Sequence, residues 1–103
     1  MVATPEGKVK KKIKEILGWC HIYWFMPQGG YYGNIGVPDF ICCVNGRFVA
    51  IEAKAGNREP TVRQFQHLQD IKAHGGCALV INEKNVDNLR KLLDDCLQQS
   101  ESD

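Results

Sequence analysis

The chain has 103 residues and a mass of 11.6 kDa, and its 44% hydrophobic and 24% charged positions are typical of a globular domain. This length predicts a single domain over residues 1–103 and excludes a separate cofactor-binding domain, so any active site must lie on one core. The net charge of +1 excludes a polycation, but residues 1–54 carry +3 and residues 55–103 carry −2, which permits a basic face.

The cysteines and histidines indicate neither a disulfide framework nor a metal cluster. The five cysteines are scattered without a Cys-x-x-Cys pair, and the three histidines lack metal-ligand spacing. The N-terminus has no apolar signal segment, and no apolar run approaches the roughly 18 residues of a membrane span. We therefore expect a reduced, cytoplasmic protein that binds neither a membrane nor an organic cofactor.

The first predicted element is an amphipathic helix with Thr4 as its N-cap, Pro5 at its first position and Gly18 at its end. Helical spacing places four apolar residues on one face: Val9, Ile13, Ile16 and Leu17. Aromatic and β-branched residues then predict a strand over 20–26, and glycine-rich residues 27–36 predict a loop. Three large aromatic residues are assigned to the core: Trp19, Trp24 and Phe25.

The strongest local signal is Asn45-Gly46 between two β-rich runs, which predicts a hairpin with a two-residue turn. Thr61 is expected to cap a second helix that ends near Ala73, with an apolar stripe of Phe65, Leu68 and Ile71. A buried strand over 77–81 and a last helix over about 85–98 follow. The last helix is expected to pack Val86, Leu89, Leu92, Leu93 and Cys96. The order predicts an α/β fold with a mixed sheet flanked by helices.

The hairpin register brings two carboxylates together. If Asn45 and Gly46 form the turn, Asp39 lies opposite Glu52 on one face of the sheet, with Lys54 diagonal to the pair. Like charges at opposed positions repel, and two carboxylates with a backbone carbonyl and waters are ligands that suit Mg²⁺. A salt bridge from Lys54, or a register shifted by one residue, would explain the pattern without a metal site.

Three segments together resemble a known nuclease family. Gly36-Val37-Pro38-Asp39 is followed after twelve residues by Glu52-Ala53-Lys54, and Thr61-Val62-Arg63-Gln64 then opens a helix. This pattern is similar to the virus-type replication-repair nuclease (VRR-NUC) branch of the PD-(D/E)XK nucleases, over residues 6–81. The resemblance implies a restriction-endonuclease-like core and metal-dependent hydrolysis of phosphodiester bonds.

The resemblance also implies roles for particular residues. Asp39, Glu52 and the backbone carbonyl of Ala53 would bind Mg²⁺ or Mn²⁺, and Lys54 would orient or activate the attacking water. Glu6 matches the glutamate of the family's first helix, although the helix dipole also explains an acid there. Gln64 matches a glutamine that holds the water or the lysine, although it also completes a capping box with Thr61.

DNA-binding candidates lie around these residues. Phosphate contacts supply most sequence-independent affinity for DNA, although a run of lysines is more often a solvated helix face. The basic candidates are Lys8, Lys10, Lys11, Lys12 and Lys14 on the first helix, with Arg58 and Arg63 near the site in sequence. Tyr31 and Tyr32 in the glycine-rich loop are candidates for stacking on an unpaired base or for packing on their own domain.

The function that we expect is a metal-dependent, structure-selective DNA endonuclease that cuts four-way (Holliday) junctions in DNA repair. A homodimer would place two active sites on the paired strands of a junction. Alternatives are a flap- or nick-directed repair nuclease, a catalytically inert nucleic-acid-binding module, and an interaction protein that uses its acidic C-terminal half. The expected setting is the cytoplasm of a bacterium or of a virus-infected host cell.

Overall fold

A computed structural model describes residues 3–28 and 35–101 of the chain. The predicted order of helices and strands is confirmed. The elements are α1 (Pro5–Trp19), β1 (Tyr23–Phe25), β2 (Phe40–Val44), β3 (Arg47–Ala53), α2 (Val62–Ala73), β4 (Cys77–Ile81), a 3₁₀ turn (Val86–Asn88) and α3 (Leu89–Glu101). No helix within the described residues is long and apolar enough to cross a membrane.

The helix α1 begins as predicted and ends later than predicted. The Thr4 hydroxyl accepts a hydrogen bond from the Gly7 N–H at 3.0 Å, and Pro5 occupies the first turn. Gly18 does not end the helix, which continues through Trp19. The chain leaves the helix at His21, whose φ of +55° is left-handed and whose N–H donates to the Gly18 carbonyl at 3.1 Å.

The four strands form one mixed sheet in the order β1-β2-β3-β4. The first two pairs of strands are antiparallel and β3 pairs with β4 in parallel. Val44 lies opposite Arg47 and Phe40 opposite Ile51, which is the predicted register. Asn45 and Gly46 both have positive φ, as a two-residue type I′ turn requires. β1 is shorter than the strand predicted over 20–26.

The sheet separates two packed layers, because alternate residues of β3 point to opposite faces. Val49, Ile51 and Ala53 pack with the apolar side chains of α1 and α3, whereas Ala50 packs with Leu68 of α2. The larger cluster contains Val9, Ile13, Leu17, Phe40, Cys42, Val49, Ile51, Ala53, Cys77, Ile81, Val86, Leu89 and Leu93. The predicted helix faces of α1 and α3 therefore form the core.

Several aromatic residues that we expected in the core are exposed. Trp19 is 74% exposed and Phe25 is 47% exposed, whereas Trp24 is half-buried and contacts the Phe40 ring. Phe65 of α2 is 53% exposed, so Leu68 and the half-buried Ile71 alone form its apolar stripe. For Phe25 the cause is coverage: α2 packs mainly on β4, so the same face of the edge strand β1 stays largely open.

The last helix and the cysteines also differ from the predictions. The segment predicted as the start of a helix near residue 85 is the 3₁₀ turn, and α3 begins at Leu89. Cys77 at the start of β4 forms a disulfide with Cys96 of α3. The prediction of unpaired cysteines was wrong at these two positions. The two cysteines are 19 residues apart, and the sequence does not show that α3 packs beside β4 and brings them together.

Candidate active site

The predicted carboxylates lie together at the end of the hairpin away from its turn. β2 begins at Phe40 and β3 ends at Ala53, so the next step of the register places Asp39 opposite Glu52. The Ala53 N–H donates to Asp39 Oδ2 at 2.8 Å, which holds the Asp39 side chain across the strand pair. The structure thus brings Asp39, Glu52 and Ala53 to one place.

Glu52 is the buried polar side chain of this site. It is 1% exposed, and no donor among the described residues reaches either of its carboxylate oxygens. The pKa of Glu52 is raised to about 9, mainly by burial and then by the adjoining carboxyl of Asp39, while the Lys54 charge acts in the opposite direction. A Glu52 anion therefore lacks the hydrogen bonds that buried carboxylates need, and the Lys54 charge offsets only part of this cost.

Two lysines approach the carboxylates from different elements. Lys54 follows β3, its N–H donates to the Ile81 carbonyl at 2.9 Å, and its charge acts on Glu52. Lys10 of α1 lies between two acids, with its Nζ 3.5 Å from Asp39 Oδ1 and 3.6 Å from Glu6 Oε2. Through Lys10, Glu6 therefore lies near Asp39, and Lys10 itself lies at the carboxylates.

Sequence reasoning placed Lys10 on the basic helix surface and missed its position at the carboxylates. A signal was present, since Lys10 is four residues after Glu6, and residues with this spacing contact each other on a helix. What the spacing does not show is that α1 packs beside the beginning of β2, where Asp39 lies.

Gln64 lies at the start of α2 in a complete capping box. The Thr61 N–H donates to Gln64 Oε1 at 2.9 Å, and the Gln64 N–H donates to Thr61 Oγ1 at 3.2 Å. The capping alternative for Gln64 is thus confirmed, and its carbonyl oxygen is occupied by the backbone.

Gly36 fixes the position of this helix start relative to Asp39. Its φ is +81°, and a Cβ there would lie 2.8 Å from Arg63 Cβ and 3.0 Å from the Gln64 nitrogen. The glycine therefore allows the segment before Asp39 to pack directly against the first turn of α2. Gly36 belongs to the motif Gly36-Val37-Pro38-Asp39, but nothing in the motif predicts this contact.

The remaining basic candidates lie around α1 and the start of α2. Lys12 forms an ion pair with Asp87 at 2.8 Å, so its charge is already matched and it is not a free cation. The five other basic candidates all have exposed side chains: Lys8, Lys11, Lys14, Arg58 and Arg63. Tyr31 and Tyr32 lie outside the described residues.

The described residues contain no preformed cluster of three or more His, Cys, Asp or Glu side chains with metal-binding geometry. Two carboxylates are nevertheless enough for Mg²⁺, which keeps several waters and takes one or two carboxylates from a protein. The oxygens of Glu52, which lack donors, and Asp39 Oδ1, which faces an ammonium group, both fit a cation. The donor set is therefore compatible with a hard divalent ion.

The comparisons with known proteins agree with this fold. No family model and no curated protein matches the sequence. A solved structure described as a VRR_NUC domain superposes with a TM-score of 0.71 and 26% identity, covering 86% of this chain and 97% of that chain. Another, described as a VRR_NUC domain protein, has a TM-score of 0.59 and 18% identity, covers 94% of this chain and 91% of its own length, and supports the fold alone. This likeness supports a VRR-NUC domain, with the α/β fold of the PD-(D/E)XK nucleases.

Proposed function

We propose that this chain is a divalent-metal-dependent DNA endonuclease that hydrolyses phosphodiester bonds at four-way junctions as a homodimer. The observation that carries the proposal is the buried carboxyl of Glu52, which has no hydrogen-bond donor and lies beside Asp39. A buried, unpaired acid beside another acid costs stability, and a cation bound between them would offset that cost. Domains of this class generally use divalent metals, which agrees with such a site.

The metal would be held by Asp39, Glu52 and the Ala53 carbonyl, and Mg²⁺ or Mn²⁺ suits these oxygen donors. When bound, the ion would withdraw charge from a nonbridging oxygen of the scissile phosphate. The Lys54 ammonium forms no hydrogen bond or ion pair within the described residues, so it is available to orient water or to stabilise charge on the phosphate. The Ala53 N–H keeps Asp39 in place for this task.

Glu6 and Gln64 have smaller proposed roles. Glu6 carries a charge that acts on Glu52, and it would help to hold the water shell of the ion. Gln64 would reach the attacking water only after its Oε1 releases the Thr61 N–H. We therefore assign catalysis mainly to Asp39, Glu52 and Lys54. The main role that we assign to Gln64 is to cap α2.

DNA would approach across the start of both helices. The exposed lysines of α1 and the exposed arginines near α2 would neutralise phosphates, and helix N-termini favour anions. Lys8, Lys11 and Lys14 have side chains in solvent, as do Arg58 and Arg63. Stacking of Tyr31 and Tyr32 on an unpaired base is proposed from the sequence alone.

The homodimer that we propose would use the open half of the sheet face. Tyr23, Cys43 and Phe48 lie in one row of the register, and Phe25 lies in the next row on the same face. Tyr23 is 70% exposed and Phe48 is 49% exposed, and β1 is an edge strand. Exposed apolar patches of this kind mark contacts between proteins.

Cleavage assays test the proposed activity. End-labelled four-way junction, flap, nicked and linear duplexes are incubated with Mn²⁺ or Mg²⁺ and compared among the wild type and two variants. Asp39→Asn should remove all product, and Lys54→Met should slow cleavage by at least about 100-fold. Asp94→Asn, which changes an exposed aspartate of α3, is the matched control and should cleave as the wild type does.

The pattern of products separates the alternatives. Paired symmetric nicks on the junction support the proposed substrate, and cleavage of flaps or nicked duplexes alone replaces it with the repair-nuclease alternative. DNA binding that resists chelator, with no product in Mn²⁺, indicates an inert binding module. The absence of salt-dependent DNA affinity indicates an interaction protein instead.

Sedimentation velocity tests the homodimer. We expect a dimer at assay concentration, and Phe48→Glu should shift it to monomer because a charge would be buried in the interface. A monomeric wild type that still makes paired nicks would contradict the dimer.

The proposed cytoplasmic setting now rests on the proposed DNA substrate alone. Unpaired cysteines would also have indicated a reducing compartment, but Cys77 and Cys96 form a disulfide.

A further inference from the structure

The ammonium group of Lys10 occupies the place where a cation would neutralise the site. It lies 3.5 Å from Asp39 Oδ1 and 3.6 Å from Glu6 Oε2, and all three side chains are half-buried. The other oxygen of Asp39 is already used, because Oδ2 accepts the Ala53 N–H. Oδ1 is therefore the Asp39 oxygen left to face a cation, and Lys10 is the cation that it faces.

The acids around Lys10 do not by themselves form a metal cluster within the described residues. Glu6, Asp39 and Glu52 are close enough for the charges of the other two to act on Glu52, yet no three acids of the described residues converge as metal ligands do. The Lys10 ammonium lies between Glu6 and Asp39 and satisfies both. A protein charge thus does part of the neutralisation that a metal would do.

We propose that Lys10 is the internal counter-ion of this site, and that a divalent cation must displace its ammonium group from Asp39 Oδ1 in order to bind. This inference rests on the metal site of the proposed function and adds a competitor to it. Without metal, the ammonium keeps the acids from repelling one another and from repelling DNA phosphates. The strength of the Lys10–Asp39 ion pair then helps to set the metal concentration at which the site fills.

The test measures Mn²⁺ binding by the DNA-free protein, so it needs no cleavage. Free Mn²⁺ is followed by electron paramagnetic resonance, or binding is followed by titration calorimetry, at physiological ionic strength. Lys10→Met removes the competing charge and keeps most of the side-chain volume. It should tighten Mn²⁺ binding about fivefold, the factor expected for the loss of one partly exposed ion pair.

Two variants provide matched controls. Lys14→Met removes the same charge one helical turn further along α1, where the side chain is exposed, and should change the Mn²⁺ affinity by less than about twofold because solvent and salt screen it. Lys10→Arg keeps the charge and should keep the affinity near that of the wild type. Far-ultraviolet circular dichroism and thermal unfolding confirm that each variant folds.

The outcomes distinguish this inference from the proposed function. Tighter binding in Lys10→Met alone supports the counter-ion role. Equal or weaker binding in Lys10→Met overturns it, while Mn²⁺-dependent cleavage by the wild type leaves the nuclease proposal standing. If neither the wild type nor Lys10→Met binds Mn²⁺, the metal site itself fails and both proposals fall. If Asp39→Asn binds as tightly as the wild type, the ion lies elsewhere and the counter-ion role is overturned.

Discussion

The two ends of the β2–β3 hairpin are built in opposite ways. At the turn end, the Arg47 guanidinium donates to the Gly75 carbonyl at 2.6 Å and to the Leu97 carbonyl at 3.4 Å. The Cys77–Cys96 disulfide joins β4 to α3 near the same end. At the other end, Glu52 is buried with no donor for its oxygens, and Asp39 lies against it.

The hairpin is thus optimised for stability at its turn end but not at its carboxylate end. At the turn end, the Arg47 guanidinium finds backbone carbonyls as hydrogen-bond acceptors, so each contact stabilises the fold. At the carboxylate end, the buried Glu52 beside Asp39 destabilises the fold. Buried polar groups without hydrogen-bond partners concentrate at functional sites. Three predictions test the contrast.

The largest stability effect is expected from a single methyl group at Gly36. Gly36→Ala would place a Cβ 2.8 Å from Arg63 Cβ and 2.9 Å from the Arg63 carbonyl carbon, at a φ of +81°. We expect a loss of about 2 to 4 kcal/mol from strain and crowding together. Urea unfolding monitored by circular dichroism measures it.

The turn glycine provides the control for this substitution. Gly46 has nearly the same φ, +83°, but an added Cβ would meet nothing within 4 Å. Gly46→Ala should therefore cost about 1 to 2 kcal/mol, the cost of the left-handed backbone alone. Equal losses for the two variants would show that Gly36 does not hold the Asp39 segment against α2.

An intermediate effect is expected from pH in the presence of chelator. The pKa of Glu52 is raised to about 9 in the folded protein, so between about pH 5 and pH 9 the folded state keeps a proton that the unfolded state has released. Stability should therefore fall as the pH rises through this range, by at most about 1.4 kcal/mol per pH unit. Thermal unfolding of the metal-free protein across this range measures the slope.

Glu52→Gln separates this group from the others that titrate. The amide cannot ionise, so the variant should lose this part of the pH dependence and gain stability over the wild type at pH 8, although it should not cleave DNA. The two proteins differ at this one position, so the difference between the two curves isolates Glu52. Parallel curves would contradict the raised pKa of Glu52.

The smallest effect is expected at the turn end. Arg47→Met removes the hydrogen bonds to Gly75 and Leu97 and should cost about 1 kcal/mol, because hydrogen bonds near the surface contribute modestly. Cleavage should be unchanged, since Arg47 lies at the far end of β3. Arg90→Met, which changes an exposed arginine of α3, is the control and should unfold as the wild type does. An Arg47 variant as stable as this control would show that the contacts contribute nothing.

Much of the fold was predictable from local signals. Asn45-Gly46 favours a turn in which both residues have positive φ, and this turn fixes the register of every following pair in the hairpin. That register is why Asp39 and Glu52 could be placed together without any knowledge of the fold. The caps Thr4 and Thr61 likewise set the beginnings of α1 and α2.

Side-chain exposure was less predictable, because it depends on which element covers which part of the sheet. Trp19, Phe25 and Phe65 are as hydrophobic as the core residues, yet no element of the described chain covers them fully. Hydrophobicity gives a preference for burial but does not say where coverage ends.

By itself, the sequence determined the order of the elements, the hairpin register and the acids that face each other, since turns, caps and periodicity act over a few neighbouring residues. Only the tertiary structure decided that Glu52 is buried without donors, that Lys10 lies on Asp39, and that Cys77 meets Cys96. These contacts join residues far apart in the chain. They depend on how α1 and α3 pack on the sheet, which local interactions do not specify.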